Sequence, residues 1–125
     1  MRSVIIVFLG AGIGGALRHL AGLAALRLLG PDFPYGTMFV NVVGAATMGL
    51  LVGLFAFRVS GDADLRLFLT TGLLGGFTTW STFALDTVTL WDRGNLVLTL
   101  LYTVGSFVLS IAALGTMLLL ARRLA

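Results

Sequence analysis

The sequence contains no cysteine, lysine or glutamate, and it has only one histidine and two prolines. Without cysteine the chain has no disulfide framework, no thiolate metal site and no thiol nucleophile. His19 alone cannot form a cluster of histidine ligands. Charged residues make up 10% of the 125 residues, whereas a soluble domain carries about 25%. So few charges cannot cover a surface that faces water, so we expect the chain to lie in a lipid bilayer.

The charges that remain are of two kinds, because all eight basic residues are arginine and all five acids are aspartate. A pI of about 10.7 could indicate nucleic-acid binding. However, the arginines do not cluster among aromatic residues. Arg122 and Arg123 close a hydrophobic run, which is typical of an anchor at the lipid headgroups. We therefore predict a lipid bilayer and no nucleic acid as the partner.

Four apolar segments fill the chain, at about residues 3–29, 35–57, 65–91 and 95–121. Each exceeds the roughly 20 residues that a helix needs to cross a bilayer. The connections between them are short and polar. Pro31 and Pro34 both lie in the first connection, where they end a helix. The sequence thus predicts one all-α, multi-pass transmembrane domain over residues 1–125 with four helices.

Four crossings place both termini on the same side of the membrane. That side would carry most of the arginines, so the positive-inside rule favours cytoplasmic termini. The arginines counted on that side are Arg2, Arg58, Arg66, Arg122 and Arg123. Arg27 and Arg93 would lie on the other side.

Glycines recur inside the spans with small-xxx-small spacing, at Gly10/Gly14, Gly49/Gly53 and Gly72/Gly76. Helices in lipid associate through close backbone contact at such residues, because burial from water does not drive them together. We expect a compact bundle. Four helices can hardly enclose a conduit and also bury their polar stripes, so we also expect an oligomer.

The third segment is interrupted by a stretch rich in Gly, Thr and Ser between Thr70 and Phe83. Adjacent glycines followed by hydroxyl residues make a poor continuous helix. Unwound backbone at membrane depth is tolerated only where it is buried in protein or lines a cavity. We therefore predict a break near residues 75–79, with a kinked but continuous helix as the alternative.

Other polar residues in the spans each allow two interpretations. Arg18 either snorkels at a helix end or attracts anions into a vestibule. Asn41 either forms an interhelical hydrogen bond or offers its amide to a partly dehydrated anion. Tyr102, Ser106 and Ser110 form one stripe that either packs against a helix or lines a polar path. Trp80 and Phe83 share a helix face. They either face lipid or pack in the core, or they direct their electropositive ring edges toward an anion.

The sequence resembles the CrcB/Fluc family of fluoride channels, over essentially its whole length. The segments that carry the resemblance are GGALR at residues 14–18, TMFVNVVG at residues 37–44 and GGFTTWSTF at residues 75–83. The chain departs from the family pattern at Trp80, where the first aromatic residue is usually Phe.

The resemblance implies an antiparallel, dual-topology homodimer in the cell inner membrane. Its two pores would passively export toxic fluoride from the cytoplasm and so confer fluoride resistance. The residues implied for the fluoride pore are Asn41, Trp80, Ser81, Thr82, Phe83, Tyr102, Ser106 and Ser110. Arg18 would belong to the vestibule. The carbonyls of Gly75 and Thr78 from both subunits would bind a structural Na⁺ at the dimer interface.

Two other classes remain as alternatives. A small proton-coupled multidrug-type exporter shares the four-span plan, but it needs a membrane-embedded carboxylate in its first helix, where this chain has none. A structural membrane subunit would explain the glycines but not the combination of Asn41, the Thr-rich break and the hydroxyl stripe. We do not expect an enzyme, because no nucleophile lies beside a base.

Overall fold

The structure is a computed structural model that describes residues 1–57 and 61–124. Within those ranges every regular element is helical, as predicted. The third segment consists of several pieces. The elements are α1 (Arg2–Leu29), α2 (Tyr35–Phe57), α3 (Ala63–Leu67), a π-helix (Phe68–Leu74), α4 (Gly75–Phe77), α5 (Trp80–Asp92) and α6 (Leu96–Leu124). Arg58, which the orientation argument used, lies outside the described residues.

The helices end where turn and cap residues interrupt them. α1 stops before Gly30, whose φ of 81° suits glycine, and the Gly30 N–H closes the helix on the Leu26 carbonyl at 3.1 Å. α2 starts directly after Pro34. Gly94, with φ of 75°, makes the turn between α5 and α6. Asn95 then accepts the Leu98 N–H at 3.0 Å and begins α6.

Two helix ends differ from the sequence-based bounds. The third segment begins at Ala63 rather than near residue 65, because the Asp62 carboxylate caps it by accepting the Asp64 N–H at 2.9 Å. α6 continues to Leu124, past the predicted end at residue 121. Arginines suit the last turn of a helix, where the carbonyls carry partial negative charge.

The glycine pairs lie at the helix contacts that their spacing predicted. α1 packs on the π-helix and α4, and a Cβ on Gly10 would come within 2.9 Å of the Gly72 Cα. α2 packs along α6, and a Cβ on Gly49 would come within 3.0 Å of the Leu114 Cα. Side chains at these positions would push the backbones apart. The glycines therefore set the distances between the helices.

Three of the described helices, α1, α2 and α6, are long and apolar enough to cross a membrane. The third segment does not qualify as one helix because it is interrupted. Large apolar side chains are exposed along the helices, among them Phe8 and Trp80. Burying apolar surface away from water is worth about 25 cal/mol per Å², so this surface is suited to lipid or to another subunit. The protein is a multi-pass membrane protein.

The predicted interruption of the third segment lies at two residues. Gly75 and Gly76 remain helical, whereas Thr78 (ψ 159°) and Thr79 (φ −152°, ψ 119°) are extended. The π-helix before them is wider than an α-helix and is seven residues long, which is unusual because such helices are mostly single turns. α5 then starts at Trp80. The third segment is therefore two helical arms joined by two extended threonines.

Candidate functional site

Asn41 on α2 binds the extended backbone at the break through two hydrogen bonds. Its Oδ1 accepts the Thr79 N–H at 2.7 Å, and its Nδ2 donates to the Thr79 carbonyl at 3.0 Å. These bonds determine the orientation of the Asn41 amide, because a backbone N–H can only donate and a carbonyl can only accept. The amide oxygen therefore faces the Thr79 N–H, and the amide nitrogen faces the Thr79 carbonyl. Of the two interpretations of Asn41, the hydrogen bond to another helical segment therefore holds for its Oδ1 and for one of its N–H groups. The second N–H of the amide is not used by Thr79.

Thr79 caps α5 with its side chain. Its Oγ1 accepts the Thr82 N–H at 3.3 Å and donates to the Thr82 hydroxyl at 3.1 Å. The Thr79 side chain is buried. A threonine at this position satisfies one of the four N–H groups that lack a partner at the start of a helix. Both the backbone and the side chain of Thr79 thus take part in the break.

At the break, two N–H groups donate to side chains instead of to the carbonyls that they would meet in an α-helix. In an α-helix the carbonyl of residue i accepts the N–H of residue i+4. The partner of Gly75 would be the Thr79 N–H, which instead donates to Asn41. The partner of Thr78 would be the Thr82 N–H, which instead donates to the Thr79 hydroxyl. Both carbonyl oxygens are therefore released from the helical pattern.

The face around Gly75 lies at the surface of the chain. Gly75 is exposed, and the nearest atom to a Cβ built there is the Thr70 carbonyl oxygen, at 3.9 Å. Carbonyl oxygens are ligands for hard cations. The residues at the break therefore fit a site made of backbone oxygens on an open face.

Trp80 and Phe83 contact each other on α5, as their spacing predicted. Their ring centroids are 5.1 Å apart and the rings are tilted by 39°. Phe83 is also 5.3 Å from the Tyr102 ring on α6. Only 8% of Phe83 is exposed, compared with 73% of Trp80. The pair therefore extends from the interior of the chain to its surface.

A cavity of about 340 Å³ lies between α2, α6 and the break. We call it the α2–α6 cavity. Most of its wall is apolar, and its polar groups come from the break, Asn41 and α6. The lining residues named in the sequence analysis are Asn41, Thr78, Trp80, Phe83, Ser106 and Ser110.

Ser106 has a special position in this cavity. It is 3% exposed, and its hydroxyl has no hydrogen-bond partner among the described residues. A buried polar group without a partner costs about 1–3 kcal/mol. Ser106 therefore lines the cavity with a hydroxyl that has no hydrogen bond to the described residues.

A second cavity, of about 430 Å³, also adjoins the break. We call it the Arg18 cavity. Arg18 and His19 line it together with Thr37 and Thr82, so it contains a positive charge and hydroxyl groups. Thr79 lines both cavities. The break therefore contributes to the walls of both cavities.

The family of this chain follows from its sequence match. A family model described as "CrcB-like protein, Camphor Resistance (CrcB)" matches residues 5–118. The chain belongs to the CrcB family. The names of similar CrcB proteins refer to ion channels rather than enzymes, since each is called "Fluoride-specific ion channel FluC".

The similarity to these CrcB relatives extends over the full chain. The protein from Methylobacterium nodulans is 50% identical over 123 residues, which cover 98% of each chain. The protein from Agrobacterium fabrum is 48% identical over 124 residues, or 99% of each chain. The protein from Rhizobium leguminosarum bv. trifolii is 46% identical over 125 residues, or 100% of each chain.

The remaining predicted pore residues of this CrcB chain lie outside the α2–α6 cavity. Ser81 is exposed, with its hydroxyl 3.5 Å from that of Thr79. Thr82 lines the Arg18 cavity instead. Tyr102 is fully buried, and its hydroxyl donates to Asp86 at 2.9 Å. The predicted hydroxyl stripe on α6 therefore has two parts. Tyr102 is hydrogen-bonded to α5, whereas Ser106 and Ser110 line the α2–α6 cavity.

Sequence reasoning about this CrcB chain missed two features of the site. Thr79 was treated only as part of a Thr-rich stretch, although a threonine directly before an apolar helix is a typical N-cap. The Asp86–Tyr102 pair was also missed. Both residues lie eight positions from the turn at Gly94, and antiparallel helices joined by a short turn bring such residues opposite each other.

Proposed function

We propose that this chain is a fluoride-selective ion channel that passively exports toxic fluoride from the cytoplasm across the inner membrane. Full-length similarity to proteins named as fluoride-specific channels supports this activity. The observation that carries the proposal is the α2–α6 cavity, which is lined by Asn41, by Phe83 and by Ser106, whose hydroxyl has no partner among the described residues.

The polar groups of the cavity suit a small, strongly hydrated anion. Asn41 and Ser106 can donate hydrogen bonds without carrying charge. The edge of an aromatic ring is electropositive, so Trp80 and Phe83 can also face an anion. A conducting site must replace part of the hydration shell while binding weakly enough for the ion to leave. Neutral donors and ring edges meet both requirements.

The active form that we propose is an antiparallel homodimer with two pores. In the single chain, Trp80 is 73% exposed although it lines the α2–α6 cavity. Gly75, beside the break, is exposed as well. A second chain placed against this surface would cover Trp80 and give the cavity another wall. The exposure of Gly75 and Trp80 on either side of the break supports such an assembly.

We further propose a structural Na⁺ at the dimer interface, bound by the Gly75 and Thr78 carbonyls of both chains. The fit is supported by the hydrogen bonds at the break, where the N–H groups of Thr79 and Thr82 donate to side chains. When bound, the cation would hold two sets of carbonyl oxygens together by electrostatic attraction.

Fluoride efflux from liposomes that contain the purified protein tests the channel activity. We expect rapid loss of fluoride and retention of chloride in parallel vesicles. Empty liposomes give the background leak. Equal permeation of both anions, or of neither, would contradict the proposed function.

A further inference from the structure

We propose that Asn41 and Thr79 are positioning residues for the cation site. Their side chains take up the two N–H groups that would otherwise occupy the Gly75 and Thr78 carbonyls. The inference rests on the Na⁺ site of the proposed function. It adds the reason why these carbonyls stay available, and it assigns that task to side chains that do not themselves bind the cation.

The first N–H is held from another helix. Asn41 is 38 residues away from Thr79 in the sequence, and its Oδ1 accepts the Thr79 N–H at 2.7 Å. The same amide donates to the Thr79 carbonyl at 3.0 Å. These paired bonds satisfy both backbone groups of Thr79 while the residue is extended. The Gly75 carbonyl therefore loses its helical donor, while both backbone groups of Thr79 remain hydrogen-bonded.

The second N–H is held within the third segment. The Thr79 hydroxyl accepts the Thr82 N–H at 3.3 Å and uses its own hydrogen on the Thr82 hydroxyl, at 3.1 Å. This arrangement releases the Thr78 carbonyl. The Thr78 N–H and hydroxyl both donate to the Leu74 carbonyl, at 3.0 Å each, so α4 keeps its geometry up to the break.

Two arrangements of the segment therefore compete. In one, side chains accept the two N–H groups and the Gly75 and Thr78 carbonyls remain available. In the other, the segment is a continuous helix and its own N–H groups occupy these carbonyls. An unpaired backbone group costs several kcal/mol in lipid, so removal of either side-chain acceptor favours the continuous helix. Availability of the carbonyls thus depends on Asn41 and Thr79.

Asn41 also connects this site to the α2–α6 cavity, which it lines. One amide therefore contacts the break with its oxygen and one hydrogen, and has a second hydrogen available to the cavity. A change at Asn41 should alter cation binding and the cavity wall together. A change at Thr79 that preserves the hydroxyl should alter neither.

The test measures Na⁺ binding by the full-length protein in detergent. The midpoint of thermal unfolding is titrated with NaCl against N-methyl-D-glucamine chloride at constant ionic strength. Asn41→Leu removes the amide at similar volume, and Thr79→Val removes the hydroxyl. We expect each to weaken Na⁺ binding by about tenfold or more, since each removes a hydrogen bond beside a buried N–H. Hydrogen exchange of residues 75–82 should slow in both variants.

Two controls accompany these variants. Thr79→Ser retains the hydroxyl and should bind Na⁺ as the wild type does. Thr47→Val removes a hydroxyl from α2 whose one hydrogen bond among the described residues is to the Val43 carbonyl of its own helix, at 2.8 Å, and should also have no effect. Gel filtration verifies that each variant is folded.

Wild-type Na⁺ affinity in both Asn41→Leu and Thr79→Val would overturn the inference and leave the proposed function intact. If Asn41→Leu does not fold, the Na⁺ affinities of Thr79→Val and Thr79→Ser are compared instead. Equal Na⁺ affinity in these two variants would overturn the inference. A wild-type protein without Na⁺ dependence would overturn both the inference and the cation site. The liposome assay would then show independently whether the protein transports fluoride.

Discussion

Asn41 and Ser106 show how single polar side chains act in this apolar protein. The Asn41 amide stabilises the break through its oxygen and one hydrogen. The Ser106 hydroxyl is buried without a partner among the described residues. The first group therefore contributes to structure and to the cavity wall, whereas the second contributes only to the cavity wall. Substitutions should separate these roles.

Ser106→Ala should slow fluoride flux without destabilising the protein. Its hydroxyl forms no hydrogen bond in the described structure, so its loss removes a desolvation cost of about 1–3 kcal/mol. A hydrogen bond to a charged solute is worth about 1.5–3 kcal/mol, or roughly 10- to 150-fold in rate. Liposome efflux and thermal unfolding measure the two effects. Thr99→Val, at a buried hydroxyl bonded to the Asn95 carbonyl at 2.7 Å, is the control for flux.

Phe83→Ile should also slow fluoride flux, by at least about tenfold. A tenfold change corresponds to ~1.4 kcal/mol on the free-energy barrier to permeation. The substitution keeps an apolar side chain but removes the ring that lines the cavity beside Trp80. We expect assembly to be unchanged in gel filtration. Leu85→Ile, on the exposed side of α5, should conduct normally. Normal efflux by Phe83→Ile would remove Phe83 from the proposed pore.

Asn41→Asp tests the other wall of the cavity. A carboxylate keeps an oxygen that can accept the Thr79 N–H, but it replaces the neutral donor with a negative charge. We expect strongly reduced fluoride flux with assembly retained, measured by liposome efflux and gel filtration. Wild-type flux in this variant would show that the Asn41 amide does not contact the anion.

At the scale of helices, the bundle is organised by glycine contacts rather than by a large core. Gly10 and Gly14 bring α1 against the π-helix and α4, and Gly49 brings α2 against α6. The π-helix lies at the first of these contacts, just before the break. α1 therefore packs on the part of the third segment that leads directly into the two extended threonines.

Gly10→Ala should destabilise the bundle by roughly 1–3 kcal/mol, the usual cost of overpacking. A Cβ there would come within 2.9 Å of the Gly72 Cα and the Leu73 nitrogen. These are backbone atoms, which cannot rotate away as a side chain can. Unfolding in increasing SDS measures the change. Gly12→Ala is the matched control on the same helix, since nothing lies within 4 Å of a Cβ there, and equal loss in both variants would contradict the packing argument.

At the scale of the whole molecule, the proposed antiparallel dimer needs chains of both orientations. The described arginines are unevenly placed, with Arg2, Arg66, Arg122 and Arg123 near one end and Arg27 and Arg93 near the other. Arg2 forms an ion pair with Asp64. Acidic residues contribute little to the positive-inside rule, so this asymmetry opposes equal insertion, and orientation needs a direct measurement.

Labelling of single introduced cysteines can measure the orientation of the chain in the membrane. Native residues give no background labelling, because the chain has no cysteine of its own. Asp92→Cys and Leu124→Cys place thiols at opposite ends of the bundle. If both orientations are present, a membrane-impermeant maleimide applied to intact spheroplasts should label a fraction of each variant. Lysed cells give the total. Complete labelling of one variant and none of the other would contradict dual topology.

Composition and hydropathy alone specify a membrane protein with four apolar segments and an interruption in the third. These properties are sums over neighbouring residues, so they do not depend on how the helices pack. The partners of polar groups depend on helix rotation and crossing. Only the folded structure therefore pairs Asn41 with Thr79, turns Thr82 toward Arg18 and directs Tyr102 to Asp86. The same packing releases the Gly75 and Thr78 carbonyls, because the acceptors for the competing N–H groups are Asn41, on another helix, and the Thr79 side chain.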